Sequence, residues 1–99
     1  MMNRTDFNMI CELVEEYKPA QRGIVSADEQ KLIREKLMLS ARSDIEVQNV
    51  RDMSVMYLNI RADNAQQNGD HEKCMQYMDM CSAIVCVIDH EKWNRGMNV

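Results

Sequence analysis

The turn at Asn68-Gly69-Asp70 constrains this chain more than any other feature, because apolar residues recur at helical spacing for several turns on both sides of it. Upstream, Ser43 followed three residues later by Glu46 forms a capping-box pattern. It starts a helix at Asp44 that runs to about Gln67, roughly 36 Å at 1.5 Å per residue. Downstream, Asp70 and Glu72 suit the positive end of a second helix, from His71 to about Trp93. Lys92 and Arg95 suit its negative end, and Gly96 closes it as Gly69 closes the first. Two helices of similar length joined so briefly fold back into an antiparallel hairpin, about 44–67 and 71–93.

Ahead of the hairpin, Phe7, Ile10, Leu13, Val14 and Tyr17 mark a first helix opened by Thr5 and Asp6 and stopped by Pro19, with a loop over 20–23. Ser26 and Glu29 repeat the capping pattern and open a second helix. The spacing carries it to about Arg42, burying Leu32, Ile33, Leu37 and Ala41. The expectation is an all-α fold: a small bundle of about four helices, one domain over 1–99, dominated by the hairpin. Three glycines and one proline leave few sites for turns, in keeping with that class.

Centring the turn on Gly69 sets Ile60 level with Met78, Met53 with Val85 and Ile45 with Trp93. These pairs are apolar on both sides and define an expected hairpin seam. The third helix then carries a second apolar stripe, Val47, Val55, Leu58 and Ala62, away from that seam. Helices one and two cover part of it and, being shorter, leave part for a subunit or partner. Five methionines fall in the hairpin, and their flexible thioethers suit both gap filling and adaptable contacts. Met75 and Met80, at the seam's margin, join Val47, Val55, Leu58 and Ala62 as expected partner-binding residues.

Charge narrows the function further. A net charge of -4 argues against a chain that draws its affinity from phosphate backbones. The segment 26–42 does carry Lys31, Arg34, Lys36 and Arg42, which opens a helix-turn-helix-like alternative: a DNA-associated regulator. Asp28, Glu29 and Glu35 on the same segment weigh against it. Four cysteines without a signal peptide point to a reduced, cytoplasmic setting. The longest strongly apolar run, 83–88, is too short for a membrane span.

Cys86 and His90, four residues apart, share a helix face and raise the second alternative, a thiol- or metal-dependent enzyme. No third ligand pattern accompanies them, so no metal, cofactor or catalytic residue is expected. His71 and Cys74 make a still weaker pair. The preferred expectation is a non-enzymatic protein-protein interaction module, a regulator, inhibitor or accessory subunit of the size common in phages and mobile elements. It acts through the hairpin and pairs with itself as a homodimer or larger homo-oligomer, or with another protein.

Overall fold

The computed structural model describes residues 4–18 and 25–98. They form a small all-α bundle: α1 (Arg4–Glu16), α2 (Ala27–Lys36), a short 3-10 turn (Leu39–Ala41), α3 (Asp44–Gln67) and α4 (His71–Asn94). The expected stop at Pro19 and loop 20–23 lie outside the described residues.

The helix ends are fixed by local chemistry. Ser43 and Glu46 make a full capping box, each side chain bonding the other's backbone N–H. Those bonds hold the Glu46 carboxyl below the usual carboxylate range. Ser26 caps α2 by accepting from Glu29 N, and Asp70 caps α4 by accepting from Lys73 N. At the other ends, Asp70 N donates to Ala65 O and Gly69 N to Gln66 O, with Gly69 at φ +77°. Met97 N to Lys92 O and Gly96 N to Trp93 O repeat the arrangement with Gly96 at φ +75°. Both closures are Schellman motifs, in which glycine takes the left-handed position without a Cβ clash.

The second helix stops earlier than its periodicity implies. Met38 takes left-handed geometry, φ 53° and ψ 41°, and ends α2. In one continuous helix Leu37 and Leu39 would point about 200° apart. The break turns both into the core, where neither has any exposure. Leu32 and Ala41, expected inside, are exposed instead. Arg42 and Arg95 hold the strained segment from outside, donating to the carbonyls of Leu37 and Leu39 at 2.6 Å each.

The level of the hairpin pairing follows the turn. Arg61 donates to the Tyr77 hydroxyl at 3.0 Å, Arg51 to Asp89 at 2.7 Å, and Lys92 to Gln48 at 2.6 Å, each pair lying nearly symmetric about Gly69. The rotation of each helix about its own axis differs from the expected seam. Ile60 and Met78 are 53% and 47% exposed, and Ile45 and Trp93 are 71% and 73% exposed. Met53 lies inside as the seam has it, but it is joined there by Val47, Val50, Ser54, Leu58, Ala62 and Ala65 of α3. They meet a buried side of α4 that includes Cys74, Tyr77, Ala83, Ile84 and Ile88. The physical reason is size. Ser54, Ala62 and Ala65 on the buried side of α3 are small enough to let a neighbouring helix approach closely.

Two outcomes test this packing. Leu58→Glu places an unpaired charge in the core and should cost several kcal/mol, ~4 or more, and largely unfold the chain. Ile60→Glu should stay within about 0.5 kcal/mol of the parent by urea titration followed by circular dichroism. Equal loss of helicity in both would refute the observed rotation. Ser54, whose buried hydroxyl has no hydrogen-bond partner among the described residues, provides the second test. Ser54→Ala removes that unsatisfied group and should raise stability by about 1 kcal/mol; a loss of similar size would show that the hydroxyl is satisfied after all.

Candidate functional site

The rotation of α3 turns inward most of the residues expected from sequence to meet a partner. Val47, Leu58, Ala62 and Met80 are all buried within the single chain, so this stripe is spent on internal packing. Val55 and Met75 are half-buried and keep some contact area. The accessible apolar surface of the hairpin lies elsewhere, in two places. Ile45, Met56 and Ile60 follow one edge of α3, and Met78 and Trp93 follow α4 with half-buried Val85 between them.

The second set belongs to the face turned away from α1 and α2. Tyr57 packs edge-on against Phe7 of α1, with centroids 5.4 Å apart, and Glu91 accepts from Arg34 of α2 at 2.9 Å. Val55 is two residues before Tyr57 and Trp93 two after Glu91, about half a turn round each helix. Val55, Met78, Val85 and Trp93 therefore flank the Arg51–Asp89 ion pair on the hairpin's outer side. This is a two-helix surface with apolar ends and a charged middle. No residue periodicity distinguishes it from the buried face, so the sequence pattern places Met78, Val85 and Trp93 on the seam; the small residues of the opposite stripe are the available signal.

Two of the three basic side chains of α2, and Arg42 after the 3-10 turn, are tied to neighbouring elements, while Lys31 is exposed. Arg34 pairs with Glu91 and Lys36 with Glu16, while Arg42 pairs with Asp6 at 3.0 Å. Each tie joins two elements, so these cations act as staples between helices. A groove of about 590 Å3 runs along α2 and the 3-10 turn, lined by Lys31, Arg34, Glu35, Met38 and the small Ala27 and Ala41. Charges of both signs line it, and they select no ligand class.

Cys86 and His90 are both exposed, and Cys74 is buried while His71 is exposed. Among the described residues no three His, Cys, Asp or Glu side chains converge in a metal-holding arrangement. No helix of the described residues is long and apolar enough to cross a membrane.

At the turn end of the hairpin an aromatic cluster forms around Arg61. Its guanidinium carbon lies 5.9 Å from the Tyr57 ring centroid and 5.4 Å from that of Tyr77. Burial, then hydrogen bonding with Cys11, pushes the Tyr57 hydroxyl above its ordinary pKa. A cavity of about 270 Å3 opens beside the cluster, lined by Arg61, Asn64, Ala65, Asn68, Lys73 and Tyr77.

With this geometry in place, comparison with known proteins adds no relative: no protein-family model, curated protein or solved structure matches the chain.

Tyr17 gives the packing of α1 against α2 a measurable pH response. Its buried hydroxyl donates to Glu29 at 2.5 Å, and desolvation together with that carboxylate drives its pKa well above the usual tyrosine value. Above about pH 10 the unfolded chain releases this proton while the folded chain keeps it, so stability falls as pH rises further. Urea midpoints measured between about pH 8 and 11 should decline, and Tyr17→Phe should flatten the decline. An unchanged slope in that variant would remove Tyr17 as its source.

Proposed function

We propose that the chain is a non-enzymatic protein-protein interaction module whose contact surface is the outer face of the α3–α4 hairpin, and that its first partner is a second copy of itself. The observation that carries the reading is the exposed pair Met78 and Trp93, set either side of half-buried Val85 on one stripe of α4. Isolated exposed apolar residues are ordinary, but a large thioether and the chain's one tryptophan on a shared stripe of a rigid helix are not. Tryptophan and methionine are also enriched where protein surfaces meet.

The spacing favours self-pairing. A two-fold axis crossing α4 between Val85 and Cys86 brings Met78 of each copy level with Trp93 of the other, in antiparallel array. Ser82 then lies level with Asp89, whose carboxylate Arg51 already neutralises. Sulfur against an indole edge is a favourable contact. The face is roughly 36 Å long and about 20 Å wide, or roughly 700 Å2 per copy, close to what stable pairs bury. An accessory or regulatory role, in which the same face is shared with another helical protein, follows from the same surface.

Trp93 reports on this directly. Its emission should be that of a hydrated indole in dilute protein and shift to the blue as concentration rises, with the mass from light scattering rising in step. Met78→Glu should leave helicity intact and hold the protein as monomer, whereas Ile60→Glu, on the other edge of the hairpin, should not. A monomer at every concentration, with Trp93 hydrated throughout, would defeat the self-pairing.

A further inference from the structure

We infer that the turn end of the hairpin is a binding site for a phosphoryl group, carried by a small phosphate monoester and held between Arg61 of α3 and Lys73 of α4. The starting point is the contrast between Arg61 and four other arginines. Arg34, Arg42, Arg51 and Arg95 each end on a carboxylate, at 2.7 to 3.0 Å. Arg61 ends on a phenol. It donates one N–H to the Tyr77 hydroxyl at 3.0 Å and lies against the rings of Tyr57 and Tyr77.

Those contacts orient the guanidinium without neutralising it. Tyr77 is buried and Tyr57 is braced by Phe7, so the base on which Arg61 rests is rigid. The groups that act on its charge are Tyr77, Tyr57 and Cys11, and no carboxylate is among them. A guanidinium has five N–H donors in a fixed fork. One is used here, and the residue remains exposed.

The neighbouring cavity completes the case. Its lining brings together two cations, Arg61 and Lys73, and two carboxamides, Asn64 and Asn68, with no acidic side chain, in a protein that carries 16 of them. Neither Lys73 nor Arg61 pairs with a carboxylate among the described residues, and the side-chain amides of Asn64 and Asn68 hold no hydrogen bond there. The site does not depend on the helix end, since Asp70 already accepts from the Lys73 backbone N–H. Four side chains drawn from both helices and the turn between them exceed what a planar carboxylate needs from one arginine fork. They suit a tetrahedral oxyanion, whose oxygens diverge. A volume of about 270 Å3 accepts a phosphoryl group and a few carrier atoms, and falls below the roughly 300–1,000 Å3 of pockets that enclose larger ligands.

The test titrates the full chain at low ionic strength with inorganic phosphate, glycerol phosphate and acetate, followed by calorimetry and by 31P line width. Saturable binding of both phosphates, with acetate much weaker, is the expected result. Arg61→Gln and Lys73→Gln should each weaken phosphate binding about tenfold or more, as loss of a charge-assisted bond requires. Circular dichroism verifies the fold of each variant. Because Lys73 is exposed, Lys73→Gln alone decides the matter should Arg61→Gln lose its helicity. Absence of saturable phosphate binding, equal binding of acetate, or affinity unchanged in Lys73→Gln would each overturn the assignment.

Discussion

The close contact made by the small residues of α3 is the constraint on which the rest of this fold depends. Ser54, Ala62 and Ala65 sit on the buried side of α3, with Ala83 buried on α4. Once these define the interior, every other residue of the hairpin has its direction fixed at 100° per position. Leu58 and Val47 go inward with them, and Ile60, Met78 and Trp93 go out. The surface that remains for binding is thus a by-product of which stripe packs more closely. Ser54 belongs to this stripe too, with a buried hydroxyl that has no hydrogen-bond partner among the described residues.

A second layer of order comes from charge, and it fastens α2 and the 3-10 turn to the hairpin. Glu91, nearly buried, accepts from Arg34 of α2 at 2.9 Å and from Arg95 at 2.7 Å. Arg95 in turn reaches the carbonyls of Leu39 and Arg42 and the Asp44 carboxylate. One carboxylate and one guanidinium therefore tie four segments together at the end of α4. A buried carboxylate with two cationic partners is strongly destabilising to break by removing one partner, although the intact set contributes less than its bond count implies. The left-handed Met38 persists inside this frame, since relaxing it would withdraw either Leu37 or Leu39 from the core.

The parts of this fold legible in the sequence are those set by local chemistry. The bounds of α3, the capping box at Ser43 and the glycine closures at Gly69 and Gly96 each depend on a few adjacent residues, and periodicity located α1 and α4 for the same reason. What could not be read was rotation. Helix α3 carries apolar residues on more than one side, so periodicity alone did not say whether Leu58 or Ile60 faces inward; that choice is made by packing against residues far away in the chain. The early end of α2 was hidden likewise, because Met38 is an ordinary helix former and only the demand of Leu39 for the core breaks the helix there. Nothing in the sequence around Arg61 marks it. Its distinction from Arg34, Arg42, Arg51 and Arg95 is that no carboxylate among the described residues pairs with it, and the tyrosine sixteen residues away becomes its partner only through the hairpin.

The two proposed sites lie on different sides of one hairpin. Tyr57 and Tyr77, which hold Arg61, line the side that receives Phe7 of α1, whereas Val85 and Trp93 lie on the side away from α1 and α2. A partner seated on the outer face leaves the cavity at the turn end open, and an anion in that cavity meets none of the apolar contact residues. Coupling between two ligands requires that one alter a state the other distinguishes. Both sites here are built on the regular backbone of α3 and α4, whose ends are fixed by caps at Ser43, Asp70 and Gly96. With Leu58 buried and the rotation of α3 fixed by it, filling of the two proposed sites is expected to be additive, with anion binding leaving any pairing of two copies unchanged.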